Sequence, residues 1–174
     1  KFLNEQGFPK GSCIAIMSKN CAHWLMADMA IWMAGHVSVP LYPTLTRASV
    51  KQILEHCEAR LVFVGKLDDP QEMLAGIPQG MQTLAFPAAP PAITPTWDSI
   101  KALGRPIEGE PTCKPDDIAT LIYTSGTTGT PKGVIHTPGE MPSCQIHHIR
   151  PGVEQFNELL AQRLRSVDRL RGMI

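Results

Sequence analysis

The chain has 174 residues with 16 Lys and Arg against 16 Asp and Glu, so its formal net charge is zero and nucleic acid is not an expected partner. Hydrophobic residues make up 43% and charged residues 18%, which excludes intrinsic disorder and suits a globular chain with one sizeable core. Five cysteines (Cys13, Cys21, Cys57, Cys113 and Cys144) form an odd set without a C-x-x-C pair, which argues against a disulfide framework and for a reducing cytoplasm.

The sequence starts at Lys1 rather than at a methionine and shows no charged leader ahead of an apolar stretch, so a missing beginning is expected. Residues 14–17 read as a strand, and Ser18 or Asn20 can cap the helix that follows. Residues 21–34 are apolar nearly all round (Trp24, Leu25, Met26, Met29, Ile31, Trp32, Met33), which predicts a buried helix with its Trp and Met in the core and Gly35 as its stop. His23 and Asp28 interrupt the run, which falls short of the roughly 20 residues of a bilayer span; no transmembrane segment is expected, and peripheral membrane contact is left open. His23 and His36, flanking this helix, read as satisfied polar groups rather than catalysts.

Residues 37–40 read as the next strand, completing a βαβ unit whose strands run parallel with a right-handed crossover. Thr46 or Ser49 starts a second helix with Val50, Ile53, Leu54 and Cys57 on its apolar face, and residues 61–64 are a third strand. From 68 to 115, prolines break the chain into connecting structure, within which 81–86 read as a strand and 97–103 as a short helix. The β-prone run 118–123 leads into Thr124, Ser125, Gly126, Thr127, Thr128, Gly129, Thr130, Pro131, Lys132 and Gly133, after which 134–136 can pair back as a strand. The fold class is α/β, built of βαβ units with a strand-loop-strand element; Tyr42 and Tyr123 are expected to pack near the loop, and His136 to play a strand-end role.

Three glycines interleaved with five hydroxyl residues and one lysine make a backbone that can approach an anion while N–H groups, hydroxyls and an ammonium point at it. The pattern is a phosphate cradle but not a Walker loop: G-x-x-x-x-G-K-[ST] needs Gly directly before Lys, and Pro131 stands there instead. A strand rather than a helix follows the loop, so Lys132 must supply the positive charge.

This run from Tyr123 to Gly133 resembles the AMP-binding signature of the adenylate-forming superfamily of acyl-CoA synthetases, luciferases and peptide-synthetase adenylation domains. The segments IAIMSKN (14–20), VPLYPTL (39–45) and LVFVGK (61–66) are similar to its long-chain fatty acyl-CoA synthetase branch, and the resemblance runs over residues 1–137, an early part of the family's large N-terminal domain. It implies that Thr124, Ser125, Gly126, Thr127, Thr128, Gly129, Thr130, Lys132 and Gly133 wrap the β- and γ-phosphates of ATP while a fatty acid carboxylate attacks the α-phosphate; coenzyme A then displaces AMP. The family's Mg²⁺-binding glutamate segment, its ribose-gripping aspartate and the lysine of its mobile C-terminal domain have no counterpart here, so the chain alone is expected to be inactive and no catalytic residue is assigned. A non-catalytic nucleotide-binding or interaction module is the alternative.

After Thr137 the sequence departs from the apolar helix the family would place next. Residues 152–173 carry Val153, Phe156, Leu159, Leu160, Leu164, Val167 and Leu170 at helical spacing, which predicts an amphipathic helix. A frameshift or premature end explains such a tail better than an evolved interaction helix. Cys144, His147 and His148 crowd together without a fourth ligand, so no metal site is expected. An incomplete sheet would leave apolar surface uncovered and favour self-association.

Overall fold

The computed structural model describes residues 1–103, 116–125 and 131–137. The central loop residues 126–130, Cys113 and Cys144, and the expected tail helix with its flanking histidines lie outside them. In chain order the elements are α1 (Phe2–Glu5), β1 (Cys13–Met17), α2 (Ala22–Met33), β2 (Val37–Leu41), α3 (Arg47–His56), β3 (Leu61–Val64), α4 (Pro70–Leu74), β4 (Gln82–Ala85), α5 (Trp97–Leu103), β5 (Thr120–Ser125) and β6 (Pro131–His136).

Six strands form one sheet in the order β4-β3-β1-β2-β5-β6. All neighbours are parallel except β5 and β6, which are antiparallel. The α/β class and the strand-loop-strand element are therefore both present. The strand expected over 81–86 within the connecting stretch is β4, which pairs with β3 from Leu61↔Gln82 to Val64↔Ala85 and forms one edge of the sheet, and the short helix expected over 97–103 is α5.

Alternation along β1 sends its side chains to two cores. Ile14 and Ile16 join Leu61, Phe63, Leu84 and Phe86 on one face, covered by Ala27 and Ile31 of α2 and by Leu3. Ala15 and Met17 join Val39, Leu41, Val62 and Val64 on the other, covered by Val50, Ile53 and Leu54 of α3 and Met73 of α4. Burial on both faces is why these strands read as continuous apolar runs rather than as an alternating pattern.

The ends of α2 and α3 show which stop and start signals operate. Gly35 has φ +73°, its N–H bonds Trp32 O at 2.8 Å and the His36 N–H bonds Ile31 O at 3.0 Å, so the chain leaves α2 through a left-handed glycine as expected. Neither Ser18 nor Asn20 caps α2; Cys21 holds the N-cap position without a side-chain bond, and the Ser18 hydroxyl donates to Lys19 O at 2.8 Å. At α3 the capping residue is Thr46, whose hydroxyl accepts from the Ser49 N–H at 3.3 Å.

Two expectations about α2 are overturned. Only Ala27, Asp28 and Ile31 are buried, while Leu25, Met26 and Met33 are 57%, 44% and 40% exposed, because the sheet covers one stripe of the helix. His36 is buried, yet its Nδ1 has no partner among the described residues, and the same holds for Asp28 Oδ1 and Ser38 Oγ. His23 packs against Trp97, ring centroids 5.3 Å apart in an edge-on arrangement.

Candidate functional site

The antiparallel pair β5–β6 builds the root of the glycine-rich segment. Its ladder runs from Thr120↔His136 to Ser125↔Pro131, with Tyr123 opposite Gly133 and Thr124 opposite Lys132. Of the nine residues expected to contact phosphate, Thr124, Ser125, Lys132 and Gly133 lie within this ladder, and the two strands bring Thr124 and Lys132 face to face; Gly126, Thr127, Thr128, Gly129 and Thr130 fall outside the described residues. Thr124 and Lys132 are exposed. The ion pairs among the described residues are Lys1–Glu5, Lys10–Asp117, Lys19–Asp68 and Lys51–Glu55, so none of them neutralises Lys132.

The foot of β5 is tied down at Ala119. Its carbonyl accepts from the Ser38 N–H at 2.9 Å and from the Trp32 indole N–H at 2.8 Å, and its own N–H donates to His136 O at 2.9 Å. Ser38↔Thr120 is the registered pair between β2 and β5. Above it β5 is held by β6 and by Tyr123, which is buried in the α3-side core. The Tyr123 hydroxyl and His56 Nδ1 share a 2.6 Å hydrogen bond, with the rings edge-on at 5.6 Å. Burial, with the Cys57 and Cys13 thiols nearby, pushes the Tyr123 phenol up to about 12, so it stays neutral and keeps its proton for this bond.

His56 was not singled out by sequence reasoning, and a separation of 67 residues from Tyr123 leaves no local signal that could have found it. Tyr42, the other tyrosine expected to pack by the loop, is exposed. The Cys57 thiol donates to Leu54 O at 3.7 Å, and the neighbouring Cys13 thiol together with burial pushes Cys57 up; both are free thiols, as is the exposed Cys21. Among the described residues there is no group of three or more His, Cys, Asp or Glu that could hold a metal ion. An open groove of about 560 Å³, lined by Phe8, Arg60, Gly80, Met81 and Gln82, lies at the N-terminal ends of β3 and β4, away from the segment that follows β5.

The glycine- and threonine-rich signature is carried on an antiparallel pair at the side of a parallel sheet, and the family model for AMP-binding enzymes matches residues 1–161. The chain belongs to that family. The match extends past Thr137, where the recognisable motifs end. Among curated relatives, it is 35% identical over 148 residues to long chain acyl-CoA synthetase 6, peroxisomal, of Arabidopsis thaliana, covering 78% of this chain and 21% of that protein. It is 34% identical to long chain acyl-CoA synthetase 5 of the same plant, covering 76% and 22%. This chain thus spans about a fifth of the length of these relatives. A fatty acyl CoA synthetase of Mycobacterium tuberculosis superposes with a TM-score of 0.60 at 26% identity, over 78% of this chain and 26% of that one. An anthranilate CoA ligase solved with anthranoyl-AMP shares the fold with a TM-score of 0.67 at 23% identity, over the same shares. No helix among the described residues is long and apolar enough to cross a membrane.

Proposed function

We propose that the chain supplies the ATP-phosphate-binding loop for activation of a fatty acid carboxylate to acyl-adenylate and then to acyl-CoA. The observation that carries this reading is the β5–β6 ladder, which sets Lys132 opposite Thr124 at the root of the Gly126–Thr130 run, with no partner for the ammonium among the described ion pairs. Carboxylate and triphosphate repel, so a site that joins them must neutralise and align them, and most of the rate then comes from electrostatics and positioning. Residues 1–137 act in this reading as part of an AMP-binding domain, and 138–174 as a divergent tail bearing an amphipathic helix. ATP, Mg²⁺ and coenzyme A are the cofactors of the longer enzyme by family likeness. The free thiols at Cys13, Cys21 and Cys57 favour a cytoplasmic location, and cell fractionation tests it against the peroxisomal names of two relatives.

ATP titration at two salt concentrations is the test. Hydrogen bonds to charged groups contribute about 1.5–3 kcal/mol, so Lys132→Ala should weaken binding roughly ten- to a hundredfold and leave a weaker salt dependence. Gly126→Val places a β-branched side chain where the backbone must approach phosphate, and should weaken binding even at low salt. Unchanged affinity in both variants at both salts would overturn the reading. The 174-residue chain should bind without turnover: fatty-acid-dependent pyrophosphate exchange above background would show that it carries the full machinery.

A further inference from the structure

We infer that Tyr123 and His56 are positioning residues for Lys132, a role that rests on the phosphate-binding reading of that lysine. The Tyr123↔Gly133 rung is adjacent to the Thr124↔Lys132 rung, so whatever holds Tyr123 also holds the backbone from which the ammonium extends. The registered β2–β5 pair lies at Ser38↔Thr120, three residues below Tyr123, and β2 runs beside β5 as its other neighbour in the sheet. Tyr123 adds two further ties at the level of the Lys132 rung. Its hydroxyl is bonded at 2.6 Å to His56 at the last turn of α3, and its ring lies against Gly133, where an added Cβ would stand 3.4 Å from Tyr123 Cζ and 2.9 Å from Leu121 Cδ1. Helix α3 is in turn fixed to the sheet through Val50, Ile53 and Leu54. The chain of contacts from the core to Lys132 is therefore Ile53 and Leu54, His56, Tyr123, Gly133, Lys132, and neither Tyr123 nor His56 needs to touch the ligand.

A side-chain hydrogen bond accounts for a few-fold to about tenfold in an equilibrium constant, so the pair should act on affinity at that level. The probes are ATP and inorganic tripolyphosphate, titrated against the full chain and Tyr123→Phe, His56→Ala, His56→Asn and Lys132→Ala. Amide hydrogen exchange of the peptides spanning 119–125 and 131–136 is read in parallel. Asn carries a polar atom near the place of Nδ1 and is the rescuing variant. The expected result is about three- to tenfold weaker binding of both probes in Tyr123→Phe and His56→Ala, faster exchange confined to those two peptides, and both effects largely reversed in His56→Asn. If Lys132→Ala weakens binding while Tyr123→Phe and His56→Ala stay within about twofold of wild type, the positioning role is wrong and the phosphate reading stands. If wild type binds neither probe, the phosphate reading falls and the positioning role falls with it; faster exchange then shows only a structural latch. Faster exchange throughout the chain would likewise mark a purely structural contact and overturn the proposal.

Discussion

Asp28, His36 and Ser38 are all buried, and the two titratable ones give folding opposite responses to pH. Burial raises the Asp28 carboxyl above its ordinary 3.8, so the folded state holds that proton more tightly than the unfolded chain. The resulting stability is fully present below pH 3.8 and is lost as pH rises through the raised folded value. Asp28→Asn should therefore gain on wild type as pH rises above 3.8, read as a urea midpoint at each pH; equal midpoints throughout would contradict it. Burial lowers His36 below 6.5, so its contribution is present above that pH and is lost as pH falls through the depressed value. Steric limits are sharper at Gly65, where an added Cβ would lie 2.6 Å from Ser18 Cβ and 2.8 Å from Phe86 Cδ2. Gly65→Ala should cost about 1–3 kcal/mol of stability by denaturant melt.

At the scale of elements, α2 shows how a composition can mislead about packing. Its residues are apolar around the circumference, yet the sheet touches the stripe of Ala27, Asp28 and Ile31. Ile31→Ala should then cost about 2–5 kcal/mol, whereas Leu25→Gln or Met26→Gln should stay within about 0.5 kcal/mol; equal losses in equilibrium unfolding would restore the buried-helix picture. Strands β1 to β3 were legible as short continuous apolar runs, and helix α3 through the helical spacing of Val50, Ile53, Leu54 and Cys57. Helices α1 and α4 were not, since Phe2–Glu5 and Pro70–Leu74 are too short to display a 3.6-residue period. The glycines and Lys132 of the site were legible through their spacing. Its support was not: β5 lies beside β2 although residue 120 pairs with residue 38, and His56 meets Tyr123 across 67 positions, relations that only the folded sheet creates.

For the molecule as a whole, the sheet order decides where apolar surface is left. Strand β6 ends the order and has β5 as its partner on one side, while Val134 and Ile135 are 43% and 55% exposed and Ile118, just before β5, is 44% exposed. On the other face Leu25, Met26 and Met33 of α2 add a second apolar area. Adjacent Val134 and Ile135 point to opposite faces of the strand that ends the order among the described residues, and a strand edge with β-branched residues is a template for pairing with another chain. The chain should therefore bind a hydrophobic dye and show a mass that rises with concentration in sedimentation. Ile135→Lys should lower both by placing a charge on the edge strand, while Leu25→Lys should lower dye binding and leave the concentration dependence in place. A monodisperse wild-type monomer with a sharp cooperative melt and no dye binding would show that these surfaces are covered, and the remaining residues of the chain would then be the place to look for what covers them.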